Sequence, residues 1–121
     1  MIIAFWIVAG LAALAFLAAG LMKIARPKDA LASSGLAWVE DFTSGPIKLI
    51  GVAEVLGAIG LVVPPLVGIL PVLSPIAGIA LAVLMAGAAA THLRRQESPV
   101  PAIVLALLSV AAAVLGFLTV A

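Results

Sequence analysis

A bundle of α-helices embedded in a lipid bilayer is the fold class this sequence predicts, and three observations predict it. Of its 121 residues, 66% are hydrophobic and 9% charged, whereas soluble domains are about 45–50% apolar and about 25% charged. The apolar residues fall into four runs, 2–22, 47–63, 72–92 and 102–120, each near the ~17–25 residues a helix needs to cross a hydrocarbon core. The runs are continuous Ala, Leu, Val and Gly without strict alternation, which excludes a closed β-barrel, the other architecture that satisfies backbone groups in lipid. A single transmembrane domain over 1–121 follows, with an interfacial segment at 29–45.

The first run ends in Lys23 and Arg26 and lacks a basic segment ahead of it, so it reads as a retained span rather than a signal peptide. In the connection after it, "ARPKDALASSGLAWVEDFTSGP", Leu36, Val39 and Phe42 recur at spacings of three beside Trp38. A short helix is expected there, capped by Ser34 and ended by Gly45-Pro46, with Trp38 at headgroup level. It either packs against the bundle or forms a lid over a cavity. Pro64-Pro65 is expected to end the second span, because neither offers an N–H and the first disfavours helix before it. Pro71 and Pro75 bracket entry to the third span, which starts between Leu66 and Ser74. Pro99 and Pro101 open the fourth, where a missing N–H in the first turn costs little.

All six Lys and Arg, namely Lys23, Arg26, Lys28, Lys48, Arg94 and Arg95, lie in or beside the first and third connections. The positive-inside rule therefore places connections 23–48 and 92–99 in the cytoplasm and both termini outside. The abundant Ala, Gly and Val suit a bacterial inner (plasma) membrane. The +1 net charge, with no basic run interleaved with aromatics, gives no sign of nucleic-acid binding. With no cysteine, thiolate nucleophiles and thiolate metal sites are excluded. A lone His92 makes a poor metal site, so no metal is expected.

One letter is discordant. Glu54 sits inside the second span, where a carboxylate costs roughly 2.5–3.5 kcal/mol on insertion scales. Gly51, Gly57 and Ala58 share its face, and small residues let helices approach closely; Glu54 should therefore point into the bundle. Gly20 and Gly87 offer the same close approach on the first and third spans, and Lys23 follows Gly20 on one face. Four spans bring Lys23, Glu54 and His92 to the same end of the bundle. Two readings stand: a structural Lys23–Glu54 ion pair with His92 donating to the carboxylate, or a polar site on an apolar cavity that binds a polar head or relays a proton. Thr91 and Ser109 are expected to bond carbonyls one turn back. Trp6 is expected at the outer interface, and Phe5, Phe16 and Phe117 in packing.

"LAFLAAG" (14–20) is similar to "LAVLMAG" (81–87), and "AEVLG" (53–57) to "AAVLG" (112–116). The matches arise either by chance in an Ala/Leu/Gly-rich chain or from a duplicated two-helix unit. Duplication would set Ala113 where the first copy has Glu54.

The motifs Phe16–Gly20–Lys23, Gly51–Glu54–Gly57 and Thr91–His92–Leu93, in this order, resemble the DoxX-like family of small integral membrane proteins. The resemblance implies a four-helix membrane bundle and marks Lys23, Glu54 and His92 as candidate site residues. It also implies company: some relatives are described as subunits of membrane oxidoreductase assemblies, and more distant ones resemble assembly factors for other membrane proteins. The chain holds no nucleophile–base pair and no complete metal shell. The expected role is thus a non-catalytic accessory subunit, assembly factor or binder of a lipophilic small molecule, without a cofactor of its own. Its partners would be the bilayer, another membrane protein or a second copy. The alternatives are a subunit of a quinone-linked oxidoreductase and a small transporter active as an oligomer.

Overall fold

The structure, a computed structural model, describes residues 1–121. Four helices are long and apolar enough to cross a membrane: α1 (Ile2–Ala25), α3 (Ser44–Val67), α4 (Leu73–Arg94) and α5 (Val100–Thr119), with the short α2 (Lys28–Ser33) between α1 and α3. They close into a ring in which α1 packs on α3, α3 on α4, α4 on α5 and α5 on α1. The ends of α1 and α4 and the starts of α3 and α5 share one end of the bundle, so every Asp, Glu, Lys and Arg except Glu54 lies at or near that polar end. The other end carries none.

The packing is apolar on both sides, with small residues concentrated inside around a few large ones such as Phe5, Phe16, Leu61 and Leu81. Large side chains such as Leu11, Leu14, Leu56, Val83 and Leu107 point outward, as suits a surface bathed in acyl chains, while the interior is rich in Ala, Gly and Ser. On α1 the buried stripe is Phe5, Ala9, Ala12, Phe16, Gly20 and Lys23. On α3 it is Ile47, Gly51, Glu54, Ala58 and Leu61. Both follow the alternating three- and four-residue steps of one helix face. Phe117, expected in packing, is 50% exposed: the inner face of α5 runs through Ser109, Ala112, Ala113 and Gly116 instead, where small residues bring α4 close.

Gly20 and Gly51 fix the α1–α3 approach. A Cβ on Gly20 would lie 2.6 Å from the Gly51 carbonyl oxygen, and one on Gly51 would lie 2.8 Å from that of Gly20. Backbone cannot yield there, so only glycine fits. Gly57 faces the Leu81 side chain across α3–α4. Gly87 does not act in this way: an added Cβ would meet nothing within 4 Å, because Gly87 lies exposed on the wall of an open cavity.

The second span does not stop at its prolines. α3 runs on to Val67 with Pro64 and Pro65 inside it, and Gly68, at φ 71°, caps it. Ile69 N–H closes the cap on the Pro64 carbonyl at 3.1 Å. Pro65 cannot donate to the Leu61 carbonyl, but the buried Ser74 hydroxyl does, at 2.6 Å. A tertiary hydrogen bond thus offsets the local rule against proline.

The 29–45 segment holds the expected short helix, but earlier than its letters suggested. It folds as α2 followed by a 3₁₀ turn at Ala37–Asp41, whose three-residue period explains the spacing of Leu36, Val39 and Phe42. Ser34 closes α2 instead of opening a helix, its hydroxyl bonding the Ala30 carbonyl at 2.9 Å. Gly45 and Pro46 lie in the first turn of α3, where N–H groups have no helical partner and proline is tolerated. Leu31, Val39 and Ile47 form a small core beneath this segment. Beside it, Lys48 ties the start of α3 to the end of α1 by donating to the Ile24 carbonyl at 2.8 Å.

Candidate functional site

Side chains on a helix lean toward its N-terminus. Because α1 ends at the polar end and α3 begins there, Lys23 leans into the membrane and Glu54 leans back toward the surface, so the two meet. Lys23 Nζ donates to Glu54 Oε1 at 2.6 Å, with the side chains 9% and 1% exposed. The ammonium also sits 5.9 Å from the centre of the Trp38 ring, at the limit of a cation–π contact.

Around this pair lies a cavity of about 560 Å³, within the range of about 300–1,000 Å³ common for small-molecule sites. It opens because the buried stripe of α4 ends at Met85; Ala88 and His92, which would continue it, line the cavity instead. α1 contributes Ala19 and Lys23, α3 Ile50 and Glu54, and α5 Ala102 and Leu105. Leu36, Trp38 and Phe42 from the connecting segment line it as well. Trp38 and Phe42 meet edge to face, 5.7 Å between centres. The lining is thus mostly apolar, with one ion pair, one imidazole and the Thr91 hydroxyl, which is already bonded within its own helix.

His92 belongs to the cavity wall but does not bond Glu54. The contacts Gly57–Leu81 and Gly60–Ala77 set Glu54 level with Val83 or Leu84 on α4. His92 lies about eight residues farther along, roughly 12 Å nearer the membrane surface. Its partner is Glu97, with Nδ1 and Oε1 3.0 Å apart. Gln96 at φ 59° reverses the chain, and Glu97 N–H bonds the His92 carbonyl at 2.8 Å, which brings the Glu97 carboxylate back over the helix end. Arg95 donates through Nε to the other oxygen of Glu97 at 3.1 Å and through Nη1 to Asp41 at 2.7 Å. Hydrogen bonds from His92 and Arg95 hold the Glu97 carboxyl below its usual range. Hydrogen bonds to Asp41 and Glu97 push the Arg95 pKa up.

This outer network of Asp41, His92, Arg95 and Glu97 escapes sequence reasoning, as does the place of Trp38 over the ion pair. Only the Arg95-x-Glu97 spacing just past a helix end hinted at it. Thr91 and Ser109 bond the Gly87 and Leu105 carbonyls at 3.0 and 2.7 Å, one turn back as expected. Of the candidate glycines, Gly20, Gly51 and Gly57 sit at close helix contacts, whereas Gly87 lines the cavity.

No curated protein and no solved structure matches the chain. A model of one family, described as DoxX-like, matches residues 7–115. That span takes in α3 and α4 whole, most of α1 and α5, and every residue of the ion pair, the cavity wall and the Arg95–Glu97 network, so the chain belongs to the DoxX-like family.

Proposed function

We propose that this protein is a non-catalytic membrane component that binds a lipophilic small molecule in the cavity between its helices. The observation that carries the reading is an apolar cavity of about 560 Å³ with the buried Lys23–Glu54 pair on its wall. A pair serving only to hold α1 to α3 needs no space beside it, and the Gly20–Gly51 contact already brings those helices together. The carboxylate and ammonium give the ligand an orientation, and the apolar walls give it affinity. The cavity lies at the end that carries all the Lys and Arg residues, which the positive-inside rule assigns to the cytoplasmic face of the plasma membrane, with both termini outside.

Ala88 lines the cavity on α4, so Ala88→Phe fills it. Wild-type protein extracted in native-lipid particles should release a lipophile, read by mass spectrometry, that the Ala88→Phe variant lacks. Equal yields from both, or none from the wild type, would remove this reading.

A further inference from the structure

The polar atoms that face the cavity are matched in an unusual way. Glu54 is 1% exposed, yet only its Oε1 receives a hydrogen bond. Oε2 has no protein donor and is not sealed off by packing, so it reaches the cavity. Lys23 Nζ carries three N–H groups and gives one to Glu54, with no other oxygen among its partners. The wall therefore presents one unfilled acceptor beside unfilled donors, set in apolar surroundings. The pair as a whole has zero net charge wherever its shared proton resides, and His92, the other ionisable group on the wall, is engaged with Glu97 roughly 12 Å nearer the surface.

From this we infer that the ligand is a neutral amphiphile whose head both donates and accepts a hydrogen bond, as a hydroxyl does; this rests on the cavity-binding reading above. An alcohol gives its O–H to Glu54 Oε2 and takes an N–H from Lys23, filling both in one step. A carboxylate or phosphate head repels Glu54, and an ammonium head repels Lys23. Either also brings an uncompensated charge into a region of low dielectric. An ether or ester accepts only, leaving Oε2 unfilled, and a buried polar group without its partner is costly.

The test uses four probes with the same chain: 1-dodecanol, dodecyl methyl ether, dodecanoate and dodecylamine. The full-length protein in nanodiscs carries Trp6→Phe, so emission reports Trp38 on the cavity wall, and Ala88→Phe serves as the blank for partition into lipid. Dodecanol is expected to bind at least tenfold more tightly than the other three. Glu54→Gln, which leaves the ammonium unpaired, should move the preference to dodecanoate, and Lys23→Met should move it to dodecylamine. If the wild type binds the charged probes or the ether as well as the alcohol, the head-group inference fails while the cavity reading survives. If no probe gives a saturable change above the blank, both fail. The wild-type ranking alone decides the inference should either variant not fold.

Discussion

The heptapeptides Leu14–Gly20 on α1 and Leu81–Gly87 on α4 are nearly the same word, and they bury opposite faces. In α1 the third and seventh letters, Phe16 and Gly20, are buried while Leu14 is 68% exposed. In α4 the first and fifth, Leu81 and Met85, are buried while Val83, the counterpart of Phe16, is 68% exposed. Two residues of phase amount to about 200° of rotation. Local sequence does not choose the face, since it is shared. What differs lies one or two turns later: Lys23 stands seven residues after Phe16, and His92 stands seven after Met85. Seven residues return to nearly the same side of a helix, so in each span the buried stripe is the one that leads to the polar residue. Turning either group outward separates it from the carboxylate it meets on the bundle side, Glu54 for Lys23 and Glu97 for His92, whereas Ala, Leu and Val face lipid with little difference between them. The same phase locks Gly20 against Gly51 and leaves Gly87 open on the cavity.

The comparison breaks first at Lys23. Lys23→Met leaves Glu54 buried without its partner and should cost about 3–5 kcal/mol, measured by unfolding in lipid bicelles. The double variant Lys23→Met/Glu54→Leu should regain most of that, because apolar replacement of a buried pair is often neutral. It would make the α1–α3 half resemble the α4–α5 half, which packs around Ala113 and Ser109 with no ion pair. A double variant as unstable as the single one would show that the pair itself holds the helices. Next in size, Gly20→Ala should cost about 1–3 kcal/mol through forced overpacking, its Cβ 2.6 Å from backbone oxygen.

The two serines sharpen the contrast at a smaller scale. Ser74→Ala strips the Leu61 carbonyl of its donor, one that Pro65 cannot replace, and should cost about 1–3 kcal/mol. Ser109→Ala should cost less than 1 kcal/mol, because the Leu105 carbonyl keeps its own helical N–H. Thermal unfolding of the two variants side by side checks the difference; equal losses would mean that Pro65 leaves no carbonyl dependent on Ser74.

The meeting of Lys23 and Glu54 is legible in the sequence, because both lie on faces marked by glycine and the topology places them at one end. The fold class and the four spans were legible for the same reason: they depend on run length and composition alone. The partner of His92 was not. It depends on the axial offset of α3 against α4, which the Gly57–Leu81 contact and the length of the connection between the helices set. No local pattern carries that offset. Pro64-Pro65 misled because the donor that rescues the Leu61 carbonyl belongs to another helix. The cavity stood only as one of two readings, since its opening follows from the buried stripe of α4 ending at Met85, while the letters beyond, Ala88 and His92, still look like a continued face.

The outer network adds a pH test. Glu97 has its pKa lowered in the folded protein by His92 and Arg95, so its contribution is present above the unfolded value of about 4.3. It is lost as pH falls through the lower folded value. Loss of the Glu97 bonds frees Arg95 to shift together with Asp41, seen as a change in Trp38 emission in a Trp6→Phe background below about pH 4.3. Glu97→Gln should abolish that change. Its persistence in the variant would mean that Glu97 does not control the segment.

The smallest effect closes the comparison of the two heptapeptides. Gly87 and Gly20 occupy the same place in the repeated word, but only Gly20 needs to be glycine. At Gly87 an added Cβ meets nothing within 4 Å, and the residue lies inside α4, where glycine costs about 0.5–1 kcal/mol relative to alanine. Gly87→Ala should therefore stabilise the protein by about that amount, opposite in sign to Gly20→Ala. Lysine and histidine set the phase in this account, so exchanging them should not reverse it. In a Lys23→His/His92→Lys double exchange, Gly87→Ala should still stabilise and Gly20→Ala should still harm. If the two alanine variants instead moved stability in the same direction, the faces would have to be assigned by the shared letters, and the polar residues seven positions on would lose their role in orienting the helices.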